Sequence, residues 1–471
     1  MSSGSGIAFS EKGAAVDGIV DEAEVAEIAA AMERSLKTAQ EAGVTEAEVY
    51  FVWSKSTSVS FERDVIESSK ESLVKGFGVR AVIDGAMGSA GTNLQGRLDD
   101  AMKNAVSIAR VMDKDPDWKS LPSGDDLPRL IAAEGLFSEE LAAMSLEDCI
   151  GAAISIIDGV RAVKDCRPTS GGLSRSVSGE IIMNTNGVFA SQRKTRISAY
   201  TEAAAGGTGD DMAKASEFGL SREADLDPES IGRKAAELAC RSMNPGSAPS
   251  GKMPVIFSPE AFADILENAF VNAVDADAVQ KGRSALIGKT GEAIAETDLS
   301  LIDDGRMAGG LSSAAFDDEG VPCQRTEIIG NGVLKSFLYD CRTAGKDNVR
   351  STGNGFRGSY SAAPGVDVTN LVVEFPKSDI LAETPRGIYV HSLIGAHTAN
   401  EISGDFSVEC QNSFLIENGE MTKPIRSVMV SGNVFDILKK IDGAGHDVRH
   451  TGSVVTPSVR ISDLSVIVPN E

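Results

Sequence analysis

Val25, Ile28, Met32 and Leu36 recur at helical spacing between residues 21 and 43, and Gly43 follows as a left-handed stop, so this segment is expected to form an amphipathic helix. The period then changes. Apolar and polar residues alternate through AEVYFVW and TSVSFERD as they do in strands, and LVKGFGVRAVIDGAMGSAGTN reads as a hairpin turning at Asp84-Gly85. Helical spacing returns at about 98–112, with Leu98, Met102, Ala105, Ile108 and Ala109 facing inward. A loop rich in Asp and Pro (113–128) precedes a predicted helix at 146–159, strands flank NTNG at 184–187, and a helix at 228–243 runs into NPGSAPSG. Helix followed by hairpins therefore occurs twice in the first half, without exact repetition.

The Pro, Gly and Ser of residues 244–251 mark a linker, and the pattern changes character beyond it. DILENAFVNAVDADAVQKGRS (264–284) opens as a helix, with Ile265, Ala269 and Ala273 on one stripe and acidic or amide residues between them. Residues 285–430 then read as short strands punctuated by NG pairs at 331–332 and 418–419 and by frequent Gly. The expected fold class is α+β: a flexible start (1–20), an N-terminal domain of antiparallel hairpins covered by helices (21–245), and a β-rich, barrel-like C-terminal domain (252–471).

Composition narrows the function more than the fold. The 471 residues carry 45 basic against 69 acidic side chains, a formal charge of −24 with no basic cluster to offset it, which makes nucleic acid a poor partner. Six cysteines lie scattered without a CxxC pair, and no signal-like apolar segment follows Met1, so free thiols and a cytoplasmic setting are expected. No apolar run approaches the length that spans a membrane.

Several segments imitate catalytic motifs. GFGVRA (76–81) looks like a dinucleotide fingerprint, but it continues as a strand where that motif needs a helix N-terminus, so its glycines are read as close backbone packing in a sheet. HDVRH (446–450) spaces two His as on a zinc-binding helix, yet Gly443, Gly445 and Gly452 flank it, and a polar surface loop is expected. AMGSAG lacks the first Gly of a nucleophile elbow. Asp317-Asp318-Glu319 lacks the spacing of a calcium loop and reads as a solvated turn. All four His lie in the C-terminal half, and a composite metal site from His397, Cys410 and either His446 or His450 stays open as an alternative.

FDDEGVPCQRTEIIGNGVLKSFLYDCRTAGK (316–346), STGNGFRG (351–358), NEISGDFSVECQNSFLIENGE (400–420), VSGNVFDILKKI (430–441) and TPSVRISDLSV (456–466) resemble the TldD/PmbA proteins in order and spacing. VKGFGVRAVIDGAMGSAGTN extends the resemblance into the first half. In that family the TldD branch is a metalloprotease with HExxxH on the helix opening the second domain and a Cys near the C-terminus. The PmbA branch, also called TldE, lacks these ligands and pairs with TldD. Laid without gaps onto KGRSALIGKTGE (281–292), the TldD pattern puts its first His at Glu267, its Glu at Asn268 and its second His at Asn272, while its Cys falls at Gly443 or Ala444. None of the four is retained, and amides are poor zinc donors and poor bases.

The resemblance thus implies a TldE-like, non-catalytic subunit with no metal of its own. Zinc would be supplied by a TldD-type partner, and the pair would degrade or process unfolded peptides, held by strand addition to an exposed edge. A homodimer is expected where no partner is present. Two alternatives remain at this level: an independent metallopeptidase or other hydrolase using His391, His397, His446, His450 and Cys410, and a regulator of a DNA enzyme such as gyrase, acting as an acidic DNA mimic.

Overall fold

The computed structural model describes residues 22–125, 127, 131, 133–207 and 212–468. The expected flexible start at 1–20 lies outside the described residues. In the first half, α1 (Glu22–Glu41), β1 (Glu46–Glu62), β2 (Val65–Ile83), β3 (Ala86–Thr92) and α2 (Leu98–Ala109) form one unit. After the short α3 (Glu139–Ala143), the order repeats with α4 (Leu146–Arg161), β4 (Cys166–Asn184), β5 (Phe189–Gly206), β6 (Met212–Ser221) and α5 (Pro228–Arg241). The recurrence of helix and hairpins seen in the sequence is therefore a structural duplication: a helix, a three-stranded meander and a second helix.

The two meanders join edge to edge into one antiparallel sheet of order β3-β2-β1-β4-β5-β6, with β1 and β4 paired from Glu48↔Asn184 to Glu62↔Ser170. Alternation along β1 sends Ala47, Val49, Phe51, Trp53, Val59 and Phe61 to one buried face, where the helices lie. The opposite positions diverge along the strand: Glu48 and Tyr50 are buried, whereas Ser54, Ser56, Ser58 and Ser60 are half-exposed. Helices α4 and α5 touch through glycines, since a Cβ on Gly159 would stand 2.1 Å from Glu229 O and one on Gly232 would stand 2.0 Å from Ile156 O. Only hydrogen fits there.

The second half begins with β7 (Gly251–Phe257), α6 (Pro259–Ala269), α7 (Val271–Val274) and α8 (Ala276–Gln280). Then come β8 (Ser300–Asp304), β9 (Arg325–Gly330), β10 (Val333–Leu334), α9 (Cys341–Asp347), β11 (Gly355–Phe356), β12 (Gly365–Val366) and β13 (Leu371–Glu374). The chain ends with β14 (Arg386–Ile394), β15 (Asp405–Glu417), β16 (Glu420–Ile425), β17 (Val428–Asn433), α10 (Val434–Leu438), β18 (Ile441–Ala444), β19 (Arg449–Thr451), β20 (Val454–Thr456) and β21 (Val459–Ile467). Strands β14, β7, β21, β17 and β15 pair in that order, and β15 returns to β14, so they close a five-stranded barrel. A second sheet, β10-β9-β8-β13-β20-β19, shares one apolar core with the barrel and α6. The α+β class and the C-terminal barrel are as the sequence led one to expect.

A buried polar network joins the halves. Arg80 on β2 donates to Glu48 on β1 at 2.9 Å and to Glu319 at 3.1 Å, and Arg357 reaches the other oxygen of Glu48. Tyr50 donates to Glu180 at 2.7 Å and to Asp318 at 3.2 Å, while Lys194 holds Glu180 at 2.7 Å. The solvated turn expected at Asp317-Asp318-Glu319 is thus incorrect. These residues are 0%, 9% and 1% exposed, and Asp317 accepts three backbone N–H groups, from Glu319, Val321 and Gly355. Three cations, Arg80, Arg357 and Lys194, face five carboxylates, and the surplus shows in the last two: burial and then Glu180 push Asp318 up to about 7, and burial and then Glu319 raise Asp317 well above the usual range.

The GFGVRA segment lies inside β2, as its strand reading requires, but its glycines serve a contact from the other half of the chain. A Cβ on Gly78 would sit 1.8 Å from the backbone oxygen of Tyr360, and one on Gly76 would sit 2.4 Å from the Tyr360 ring. Gly78→Ala must therefore displace the 357–361 loop and with it Arg357. A loss of about 3 kcal/mol is expected, the upper end for overpacking, against less than about 0.5 kcal/mol for Gly96→Ala, where a Cβ meets nothing within 4 Å. Paired thermal unfolding of the two variants checks this, and equal midpoints would refute the close approach.

Candidate functional site

Helix α6 is specified by its own sequence. Ser258 at the end of β7 caps it, accepting from Ala261 N at 3.1 Å and donating to His391 O, and Pro259 fills the first turn, where no N–H is needed. Ala261, Phe262, Ile265, Leu266 and Ala269 face the core, which leaves Glu260, Asp264 and Glu267 on successive turns of the other side. The helical stripe anticipated through Ala273 breaks at Phe270, which has φ −115° and packs its ring 6.4 Å from Phe435. Glu267 and Asn268 therefore sit on α6, while Asn272 sits on α7.

All three positions are engaged in structural hydrogen bonds. Glu267 accepts from Ser453 Oγ at 2.7 Å, in the turn between β19 and β20. Asn268 donates back to Asp264 O of its own helix at 2.8 Å. Asn272 donates to Glu401 O at 3.1 Å and Arg283 O at 3.3 Å, pinning two loops beside α7. Gly443 and Ala444 lie on β18, which pairs with β21, and a Cβ on Gly443 would press on Ile380 at 2.7 Å. One carboxylate already bound to a hydroxyl and two amides donating to carbonyls do not form a zinc donor set.

The scattered His and Cys do not converge either. His397 is exposed on a single helical turn, Ala396–Thr398. Cys410 lies in the barrel core at 3% exposure, its thiol pushed up to about 12 by burial and by Glu409. His446 is exposed in a loop, as expected of HDVRH, but His450 belongs to β19 and is half-buried, and burial lowers its pKa. His391 stands on β14, its pKa drawn down by burial with Glu217 opposing. Among the described residues no three His, Cys, Asp or Glu side chains gather closely enough to hold a metal.

What α6 does face was not foreseen. β6 is the edge strand of the large sheet, and Arg449 on β19 reaches its Glu217 carboxylate and Phe218 carbonyl while stacking 4.2 Å from the Phe218 ring. Asn412 Nδ2 caps the same edge at Lys214 O, 2.9 Å away. Next to these contacts a cleft of about 480 Å³ runs between the halves, lined by Phe218, Leu220, Asp227, Lys234, Val448 and Arg449. Burial pushes Glu260 up to about 7, with Glu217 and Asp264 adding to the shift and Arg449 opposing it, and burial followed by Glu267 pushes Asp264 up to about 6. The helix and the acidic and amide positions along it from Asp264 onward were legible; the burial of Glu260 near Glu217 of β6, distant in sequence, was not.

Both shifts are upward, so the folded chain holds more protons than the unfolded chain between about pH 4 and the shifted values, and stability contributed by these groups falls as pH rises through that window. Glu260→Gln removes the cost of ionisation. It is expected to raise stability at pH 8 by about 1–2 kcal/mol and to leave stability at pH 4 unchanged. Unfolding midpoints at the two pH values test this, and a variant less stable at pH 8 would show that the Glu260 charge is favourable.

Comparison with known proteins agrees with this architecture. Residues 47–109 match the PmbA/TldA metallopeptidase domain 1, residues 139–243 the central domain, and residues 250–468 the C-terminal domain. An uncharacterized protein of Methanocaldococcus jannaschii is 33% identical over 91% of this chain and 98% of its own length. A protein named metalloprotease from Methanothermobacter thermautotrophicus is 27% identical over 84% of this chain and 87% of its own. The crystal structure of TldE from Thermococcus kodakarensis superposes with a TM-score of 0.86 at 25% identity, covering 93% of this chain and 99% of that one. Three successive domain matches and a relative aligned almost end to end establish that this chain belongs to the PmbA/TldD family.

Proposed function

We propose that this chain is a TldE-like, non-catalytic subunit that pairs with a TldD-type zinc metalloprotease to degrade or process unfolded peptides. The observation that carries the reading is the state of α6 and α7: where the TldD pattern calls for two imidazoles and a carboxylate base, Glu267, Asn268 and Asn272 are each engaged in a hydrogen bond within the chain. Relatives named metalloproteases and a structural neighbour named TldE support the family context. Zinc belongs to the partner in this reading, because the donor set here does not fit it.

The likeness of fold also makes pairing physically reasonable. Two chains of one architecture can meet through quasi-equivalent surfaces, and a chain freed from catalysis keeps the shape that such an interface requires. An extended substrate would present backbone N–H and C=O groups, which suit recognition that is indifferent to side chains.

Hydrolysis of an unfolded protein, measured with zinc content for this chain alone, for a TldD-type chain from the same source alone, and for the mixture, tests the proposal. Silence from this chain and zinc-dependent cleavage enhanced at least about tenfold in the mixture are expected, equivalent to about 1.4 kcal/mol of barrier. Chelator-sensitive cleavage by this chain on its own would overturn it.

A further inference from the structure

Four of the six cysteines have no thiol neighbour: Cys149, Cys323 and Cys410 are buried, and Cys341 lies at the start of α9. Cys166 and Cys240 differ. They are 74 residues apart in sequence, on the first residue of β4 and in the last turn of α5, and their sulfurs stand 2.8 Å apart. Both residues are half-exposed. A disulfide needs an S–S distance of about 2.05 Å, so a small approach of the two side chains closes the bond. Cys166 Sγ also lies 3.4 Å from Ala236 O, and Cys240 Sγ lies 3.8 Å from Lys164 O.

We infer that Cys166 and Cys240 are a reversible redox site, a dithiol that peroxide converts to an intramolecular disulfide. Cys240 Sγ attacks one oxygen of hydrogen peroxide, the O–O bond breaks, and Cys240 sulfenic acid forms with release of water. The Cys166 sulfur then attacks the Cys240 sulfur, its proton leaves with the hydroxyl as a second water, and the S–S bond forms. Two thiols lose two electrons in all, and one peroxide is reduced to two waters. Burial and the neighbouring Cys240 push the Cys166 thiol up to about 12, so its attack on the sulfenic acid draws on the short distance between the sulfurs.

The bond would act at the seam between the halves. Arg241, next to Cys240, stacks 4.9 Å from the Phe414 ring and reaches Met421 Sδ at 3.7 Å, and Ser242 Oγ accepts from Asn412 at 2.8 Å. Phe414, Met421 and Asn412 all belong to β15 and β16 of the C-terminal half, so a covalent tie from β4 to the end of α5 also fixes the point where α5 hands the chain to β7.

Exposure of the native full-length chain to hydrogen peroxide, followed by quenching, denaturation and alkylation, reads the outcome by mass. The free-thiol count is expected to fall from six to four, with one cross-linked peptide pair containing Cys166 and Cys240, and dithiothreitol is expected to restore six. Cys166→Ser and Cys240→Ser should each keep five cysteines without a cross-link, and the oxidised parent should melt at least several degrees above the reduced one, as closure of a long loop predicts. Six thiols surviving, cross-links through other cysteines or between chains, or an unchanged melting temperature would overturn the inference.

Discussion

The fixed point of this molecule is Arg80. Its guanidinium is enclosed at 4% exposure between Glu48 and Glu319, and Glu319 comes from the other half of the chain. Burial works against its charge, but Glu48 and then Glu319 outweigh that and raise its pKa above the ordinary Arg value. Arg357 closes the circuit from the C-terminal side by pairing with Glu48 and stacking 5.2 Å from the Tyr50 ring. A buried ionic cluster is not chiefly a source of net stability, because desolvation offsets much of the attraction. What it does show is a specific docked geometry, in which Arg80 of the first half meets Glu319 of the second and Arg357 of the second meets Glu48 of the first.

That constraint sets the geometry of everything lateral to it. Glycines at 76 and 78 let the 357–361 loop approach β2, and Arg222 at the end of β6 reinforces the docking by donating to Gly310 O at 2.7 Å, Leu311 O at 2.7 Å and Ser313 O at 3.1 Å. With the sheet so fixed, its last strand arrives at β19 of the second sheet, where Arg449 meets Glu217 and Phe218. The cleft beside Arg449 is therefore a product of interdomain docking. Neither half would hold it alone.

The sequence disclosed what is local. Helices with a clear apolar stripe, the Asp84-Gly85 turn and the doubled helix-and-hairpin order could be read because neighbouring residues determine them. The buried network could not, since Arg357 and Glu48 are 309 residues apart and a charged triplet such as Asp317–Glu319 carries no local mark of its burial. The same applies to α6. Its capping Ser258 and apolar face are written in the chain, but the break at Phe270 follows from that ring packing beside Phe435, a tertiary contact. Family resemblance pointed to Glu267, Asn268 and Asn272; the folded chain places the first two on α6 and the third on α7 and shows what they bind.

Those bonds also bear on how polar groups at these positions are satisfied. An imidazole or carboxylate evolved to meet a metal leaves an uncompensated polar group when the metal is absent, and a polar group without a partner costs about 1–3 kcal/mol where water is excluded. Glu267, Asn268 and Asn272 each have a partner within the chain. Asn272 can donate both amide hydrogens in a way a single ring nitrogen cannot, and it uses them to tie Arg283 O and Glu401 O across the break between α6 and α7. Glu267 keeps a carboxylate but directs it to Ser453 in the β19–β20 turn, the same hairpin whose Arg449 seals β6. The three positions that the resemblance singles out are thus tied into the surrounding chain. Of the three, Glu267 connects the helix that opens the second half to the hairpin that meets the first, so part of the interdomain seam rests on this side chain.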